Sequence, residues 1–461
     1  MIRPRFPRPV AIGLTFALLV APLAVFARAA SAQQIGPDST IRLTLGEAVR
    51  LAARQNAQVG SARSRLGVAE ARVTQRRADL LPSLSLSARQ SGSTLNSAAA
   101  FPIDFPSAPG EPQLFDPQGS ILGPLNVFDA RAHVTQTLLD PGAIARLRGA
   151  RTSVQAADAD VANASEAAGS LAANAYVAVL RADAVYNARL ADSTLAAELL
   201  TIAQDQLRAG TGVALDVTRA RSQLTGARTQ LIIARNDRDR TRVELARAMG
   251  LPLVNLVLAD SLGSLPSATD ATEATALAAA LRGRNDLRSI TLQAQSARQQ
   301  AAAIRSERLP TIGVFADEGQ AYRIGRSSLP TYDWGVQLSL PVFDGFRREG
   351  RVEEQVAVAR DLEMRERDLR TQVEADVRIA ILNLTSSSEA VSAARERLQL
   401  AEQEVSQARE RFQAGVAGNA DVITASLTLN SARTQYVDAL TSYQAARVAL
   451  ARARGSITTI D

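Results

Sequence analysis

Arg242-Val243-Glu244-Leu245-Ala246-Arg247-Ala248-Met249-Gly250 returns about 205 positions later as Arg447-Val448-Ala449-Leu450-Ala451-Arg452-Ala453-Arg454-Gly455. The same separation carries Ala227-Arg228-Thr229-Gln230 to Ala432-Arg433-Thr434-Gln435, Ala209-Gly210 to Ala414-Gly415, and Asp216-Val217 to Asp421-Val422. Matches at one offset make a duplicated unit. A unit of about 200 residues is too long for a short-period solenoid, so the copies are expected side by side around an axis, as in a ring or tube.

Outward from these stretches run long helices. Ile144 to Arg208 has no Pro, and neither does its copy from Phe346 to Gln413; both are rich in Ala, Arg, Glu, Gln and Leu. A helix of about 65 to 70 residues would measure about 100 Å at 1.5 Å per residue. Val391, Ala394, Leu398, Ala401, Val405, Ala408 and Phe412 alternate steps of three and four, the coiled-coil period; Tyr186, Arg189, Ser193, Ala196, Leu200, Ala203 and Leu207 form the shifted copy. After the turn, Val422, Ala425, Leu429, Ala432, Tyr436, Ala439, Tyr443, Ala446 and Leu450 keep that rhythm, so two antiparallel helices should share a small-large seam. Shorter helices are expected from Thr44, with a capping box to Glu47, to about Leu80, from Asp216 to Met249, from about Thr275 to Arg308, and from Asp421 to Arg454. Two short helices end to end match one long helix, as a wall of uniform height requires. A free-standing periplasmic coiled coil would explain the heptads without that match.

Helix patterning stops at Leu81-Pro82 and Leu309-Pro310, because proline disfavours helical geometry in the residue before it. Alternation follows at once. Leu84, Leu86 and Ala88 oppose Ser83, Ser85, Ser87 and Arg89; Phe128, Ala130, Ala132 and Val134 oppose Asp129, Arg131, His133 and Thr135. In the second half Ile312, Val314 and Ala316 form one apolar face, and Trp334, Val336, Leu338 and Leu340 oppose Asp333, Gly335, Gln337 and Ser339. Each run is about ten residues, enough to cross a bilayer when tilted. Four strands cannot close a barrel alone, so the chain must oligomerise or the strands do not span. Aromatic residues gather in these hairpins (Phe101, Phe105, Phe115, Phe128, Phe315, Tyr322, Tyr332, Trp334, Phe343, Phe346), as at membrane interfaces. The alternative is a hairpin on a soluble core, which leaves the apolar face uncovered. The loop from Ser91 to about Asn126 is the longer of the two and is expected to be extracellular. His133 falls on the polar face, as a lumen or rim residue rather than a ligand.

Composition narrows the function. Arg3, Arg5 and Arg8, an apolar stretch from Ala11 to Phe26 and the small-x-small Ala30-Ser31-Ala32 read as a secretory signal over residues 1–32. The alternative, an uncleaved anchor helix, has a short apolar run interrupted by Pro22. With the leader gone, Arg28 included, the formal +6 falls by four to +2, which argues against nucleic acid as a partner. There is no Cys and one His, so neither a thiol nor a His cluster is available for catalysis or a metal, and no cofactor or enzymatic activity is expected. An N-terminal lipid on Cys is likewise excluded.

In order, these pieces divide the chain into a leader (1–32), a first repeat (33–250, with hairpin 82–139 and tip turn 209–216), a linker (251–272) and a second repeat (273–461, with hairpin 310–343 and tip turn 414–421). The series formed by Thr44-Leu45-Gly46-Glu47-Ala48, the two Leu-Pro switches, Pro341-Val342-Phe343-Asp344-Gly345 and the paired turns Gly210 to Val217 and Gly415 to Val422 resembles the outer-membrane efflux proteins, the TolC-like family, over essentially the whole mature chain. The resemblance implies a mainly α fold: a periplasmic α-barrel tunnel of long helices plus four strands per chain in a trimeric, twelve-stranded outer-membrane β-barrel. It implies a homotrimer in outer-membrane lipid that meets a periplasmic adaptor of the membrane-fusion class and an inner-membrane RND, ABC or MFS pump. The duct would serve a tripartite efflux pump or a type I secretion system. A stand-alone porin or a periplasmic scaffold are the alternatives.

The resemblance places the periplasmic entrance and adaptor-docking tips at Gly210, Thr211, Gly212 and Asp216, and at Phe412, Gly415, Gly418, Asn419 and Asp421. Asp216 and Asp421 are equally explained as capping and dipole residues of the return helices. Three copies of Asp421 would form a negative ring favouring cations. The aromatic and basic residues that latch this hairpin in well-known relatives correspond here to Phe412 and Ala417, so that latch lacks its hydroxyl and its guanidinium. Phe128, Tyr332, Trp334 and Phe343 are the expected membrane-interface aromatics.

Overall fold

The computed structural model describes residues 40–96, 119–252, 255–263, 272–323, 329–414, 416 and 418–460. The leader, Phe101, Phe105, Phe115, part of the linker and Gly415 lie outside the described residues. The first half runs β1 (Thr40–Leu43), α1 (Leu45–Gln55), α2 (Ala57–Ala78), β2 (Ser83–Asn96), β3 (Ile121–Leu139), α3 (Pro141–Arg208) and α4 (Ala214–Met249). After β4 (Asn255–Leu258) come α5 (Glu273–Gly283), α6 (Asn285–Ser306), β5 (Thr311–Arg323), β6 (Leu329–Ser339), α7 (Arg347–Gln413), α8 (Asn419–Ala453) and a 3₁₀ turn, Ile457–Thr459. The chain is mainly helical, and no helix among the described residues is long and apolar enough to cross a membrane.

Local chemistry fixes most boundaries. Thr44 and Glu47 make the reciprocal capping box that starts α1. Asp140 accepts from the Ala143 N–H at 2.8 Å, and Pro141 occupies the first helical position of α3, where its missing N–H costs nothing. The 68-residue α3 and 67-residue α7 reach roughly 100 Å.

Two expected single helices are instead broken. The one beginning after Thr44 is interrupted at Asn56 (φ −59°, ψ 137°), the one after Thr272 at Arg284 (φ −72°, ψ 119°). The cause is a backbone approaching from elsewhere in the chain. Gly250, left-handed at φ 75°, seats against the α1–α2 break so closely that a Cβ would lie 2.9 Å from the Gln55 carbonyl oxygen. Gly455, at φ 68°, does the same 3.1 Å from the Gly283 carbonyl oxygen. Asn56 fills the first break, donating from Nδ2 to Ala248 O at 2.9 Å and accepting from Gln58 N at 2.8 Å. Arg284 fills the second, bonded to Asp286 and, at 2.9 Å, to Asp376 of α7.

Around these breaks lies the larger core, built from Leu45, Val49, Tyr176, Val179, Leu245, Met249 and Ile457. The parallel pair β1–β4, which periodicity did not reveal, is tied to it: the buried Tyr176 hydroxyl donates to Asp260 Oδ2 at 2.8 Å beside the Leu43 carbonyl. Burial, then the Asp260 carboxylate, push the Tyr176 hydroxyl pKa up. Buried Glu166 accepts from Ile457 N (2.9 Å) and Thr458 Oγ1 (2.8 Å), clamping the terminal turn to α3.

Above and below, every layer is an open row. The four-stranded antiparallel sheet has the order β2-β3-β5-β6. On the sheet side of the breaks, α2, α3, α6 and α7 pack in that sequence; on the other side it is α4, α3, α8 and α7. The α7–α8 seam contains Ala401, Val405, Ala425, Leu429 and Ala432 as its spacing required. Toward the tip the buried residues of α3 are Asp192, Ala196, Leu199 and Ala203, and Leu207 is exposed, because α3 serves α4 on one side and α8 on the other.

Two glycines of α4 should respond oppositely to alanine. Gly250→Ala adds a left-handed penalty of about 1–2 kcal/mol to a backbone clash, whereas Gly226, with open space around its Cβ position, should gain up to about 1 kcal/mol. Thermal unfolding in detergent measures both; equal shifts would contradict the packing described. Burial alone would raise the Asp286 pKa, but the Arg284 hydrogen bonds and charge outweigh it, and the carboxyl sits below its ordinary 3.8. A depressed carboxylate adds stability that is complete above its ordinary value and lost as pH falls through the folded one. Asp286→Asn should therefore flatten part of the acid-induced drop in melting temperature, and an unchanged pH profile would count against the pairing.

Candidate functional site

At the end of α3, Gly210 (φ 77°) turns the chain, and Thr211 N and Gly212 N both donate to Gln206 O at 3.0 Å. A Cβ on Gly212 would lie 2.9 Å from Gln206 Cβ, so the turn admits only glycine there without rearrangement. The N-caps of α4 and α8 are Val213 and Gly418, and neither makes a side-chain cap bond. The capping role expected for Asp216 and Asp421 is thus corrected: both sit in the first turn, where a carboxylate favours the helix dipole without closing a cap. Asp216 is half-buried with Arg219 at 3.9 Å; Asp421 is exposed with no ion-pair partner among the described residues.

The two tips are locked together within one chain. Phe412 (2% exposed) and Val422 (0%) pack against Leu199, Ala203 and Ala220. Gln206 Nε2 donates to Phe412 O at 2.8 Å, and Asn419 Nδ2 donates to Asp216 O at 3.0 Å. Arg409 pairs with Glu198 at 3.0 Å. Farther along, buried Asp192 receives Arg433 at 2.8 Å and Arg189 at 3.1 Å, and Arg189 also reaches Thr434. Apolar packing and amide bonds hold Phe412 in place, and Ala417 lies outside the described residues. Asn419 is fully buried, yet its Oδ1 has no hydrogen-bond partner among the described residues, a cost the packed tip carries.

Of the expected tip residues, the structure brings Asp216, Phe412 and Asn419 into this lock; Gly210, Thr211 and Gly212 shape the first turn, and Gly418 starts α8. Sequence reasoning missed Gln206 and the exposed apolar rim Val213 (58%), Leu215 (54%) and Val416 (70%). Large apolar residues inside a Gly-rich turn were the signal.

At the opposite end, strand register assembles one mostly apolar face, which also carries exposed Glu318 and Gln320. Leu84 lies beside Val134, Val134 beside Ala316, and Ala316 beside Trp334, with Leu86, Ala132, Tyr332, Val336 and Leu338 on the same side. Leu86, Tyr332, Trp334, Val336 and Leu338 are all more than two-thirds exposed. Phe128 shares this face, 40% exposed. Phe343 stands in the turn after β6, edge-on to Phe346 at 5.6 Å. From Tyr332 to the end of β6 at Ser339 the strand covers roughly 23 Å.

The other face is polar. Arg131 binds Asp129 at 2.8 Å and Asp317 at 3.1 Å, and His133 Nδ1 lies 3.3 Å from Asp317 Oδ2. Gly319 leaves room for the Arg131 stem, since a Cβ would lie 2.5 Å from its Cγ.

Comparison with known proteins follows this geometry. A family model described as outer membrane efflux protein matches residues 48–251 and 276–456. Among solved structures, the outer-membrane channel OprN superposes with a TM-score of 0.72 at 18% identity, covering 89% of this chain and 90% of that one. The Campylobacter jejuni CmeC outer membrane channel gives 0.71 at 17%, covering 89% and 85%. The outer membrane protein VceC from Vibrio cholerae gives 0.70 at 18%, covering 89% and 96%. These identities speak for the fold. No curated protein sequence matches the chain.

Phe412→Ala, a truncation costing about 3–5 kcal/mol in a packed core, should speed amide exchange across residues 199–220 and 405–425 while leaving the Glu166 region unchanged. Exchange mass spectrometry reads this directly, and uniform loosening of the whole chain would argue against a local lock.

Proposed function

The chain belongs to the outer membrane efflux protein family, and we propose that it is the outer-membrane duct of a tripartite efflux pump or type I secretion system. The observation that carries this reading is the open row at every level. Strands β2 and β6 are unpaired edges of the described sheet, and α7, with α2 or α4, borders each helical layer. The border helices expose Ile232 (70%), Ile233 (50%), Met364 (57%), Leu382 (61%) and Leu400 (59%), a pattern suited to burial against a second copy. Three copies would close twelve strands into a barrel and join the helical rows into a tunnel below it.

In that assembly the polar strand face with Arg131, His133 and Asp317 lines the passage, and the apolar face meets lipid. The tips of α3–α4 and α7–α8 form the periplasmic entrance, where three exposed copies of Asp421 bias entry toward cations. The apolar rim of Val213, Leu215 and Val416 offers a periplasmic adaptor its seat, and an inner-membrane pump delivers solute through that adaptor. The repeat boundaries at 33–250 and 273–461 describe two staves of one wall, and the leader directs export.

Because the chain lacks Cys and Lys, introduced cysteines report without background. Ser87→Cys combined with Gln337→Cys, on the opposite edges of the sheet, and treated with a bis-maleimide should give a covalent ladder ending at three chains, recovered with the outer membrane. A soluble monomer would sink the duct reading and favour a scaffold.

A further inference from the structure

Where β6 hands over to α7, the turn Leu340-Pro341-Val342-Phe343-Asp344-Gly345-Phe346 encloses a cavity of about 430 Å³ with the end of α6 and the start of α7. Its rim is apolar and uncovered: Val342 is 87% exposed, Phe343 75% and Phe346 71%. Its floor is charged. Arg308 is bonded to Glu349, while Arg348 pairs loosely with Asp344 at 3.6 Å. Arg348 is only 6% exposed, and its Nε has no hydrogen-bond partner among the described residues. One unpaired N–H on a buried guanidinium otherwise held by Asp344 leaves a place for a further acceptor, since charged donors are costly to leave unpaired. Phe346 adds a second oddity, a bulky residue at φ 63° where the left-handed region disfavours any side chain.

The mixture of charges says what kind of acceptor fits. Two guanidinium groups and two carboxylates line the cavity, so its formal charge cancels, and a simple anion would meet Asp344 and Glu349 as well as the arginines. A group carrying both signs satisfies all four. The cavity also opens beside the apolar strand face, at the level where the sheet ends and the helices begin.

We propose that this cavity holds the headgroup of a zwitterionic aminophospholipid from the leaflet nearer the helices, a phosphatidylethanolamine in chemical class. The phosphate accepts from Arg348 and Arg308, and the primary ammonium donates to Asp344 and Glu349. The acyl chains run along Val342, Phe343 and Phe346. The edge-on Phe343–Phe346 pair is then covered rather than wet, which compensates the left-handed backbone at Phe346. A quaternary ammonium has no N–H to give, and an anionic glycerol headgroup leaves the carboxylates unmatched, so both should bind less well. The proposal rests on the reading that the sheet spans a membrane.

The test uses the detergent-purified full chain, titrated separately with phosphatidylethanolamine, phosphatidylglycerol and phosphatidylcholine, with retained lipid counted by native mass spectrometry. Phosphatidylethanolamine should be retained about tenfold better than either competitor, the worth of one charge-assisted hydrogen bond. Arg348→Gln should remove that preference, and Asp344→Asn should narrow the gap to phosphatidylglycerol. Phe346→Gly covers the case in which a buried-arginine variant misfolds: it relieves the left-handed backbone, keeps or raises the melting temperature, and still lowers lipid retention. Equal retention of the three lipids, indifference to all three variants, or displacement by inorganic phosphate alone would overturn the site. A trimer in the outer membrane without lipid preference would end only this proposal, whereas a soluble chain would end the membrane reading beneath it.

Discussion

The contact on which the rest of the molecule depends is backbone against backbone, Gly250 on the Gln55–Asn56 peptide and Gly455 on the Gly283–Arg284 peptide. Neither position tolerates a Cβ, and both glycines are left-handed. Each contact ends a helix returning from the tips at the point where a second helix toward the sheet begins. The level of the two breaks along α3 and α7 decides which neighbours those long helices meet, α2 and α6 on one side, α4 and α8 on the other. The largest core gathers at this level because three helix ends, β1–β4 and the terminal turn all deliver apolar side chains to it.

From that level outward, width rather than length becomes the constraint. Each layer contains four elements, and the border elements come from opposite halves of the chain. A sheet edge carries a row of unused N–H and C=O groups, which a bilayer cannot satisfy. Helical borders have no such ladder, but they leave apolar side chains in water. Membership of the outer membrane efflux protein family and the superposition on solved outer-membrane channels agree with this fold.

Much of this was legible because it is local. Leu81-Pro82 and Leu309-Pro310 end helices through proline's own sterics, and the alternation of Leu84 to Arg89 or Trp334 to Ser339 is a property of the strand itself. The breaks at Asn56 and Arg284 were hidden because their cause is a glycine about 170 to 195 positions away. The periodic pattern of α3 was similarly ambiguous. A helix flanked on two sides distributes its small residues between two seams, so a single heptad register drawn through Leu200 and Leu207 misses Leu199. At the tips, Phe412 and Asn419 were visible as unusual residues, but their partners Gln206 and Asp216 lie on the other hairpin.

The tip lock bears on how the two hairpins can move. Its inventory is short: one apolar cluster, two amide-to-carbonyl bonds and an exposed ion pair. The exposed pair contributes little, and the amide bonds are each worth about 1 kcal/mol. The apolar cluster therefore dominates, and it holds α7–α8 against α3–α4 along their sides. Sliding would break that packing at once, whereas a hinge farther from the tips lets the hairpins part while α7–α8 keeps its own Ala401–Leu429 seam. The natural limit of such a hinge is Asp192, because parting the helices breaks its pair with Arg433 of α8 and leaves the buried carboxylate only Arg189 of its own helix. Asn419 biases the same motion, since exposing its unpartnered Oδ1 to water recovers part of what parting the cluster costs. A tip held by packing, with one polar group unsatisfied inside it, is anchored by its apolar cluster and held least firmly at its end.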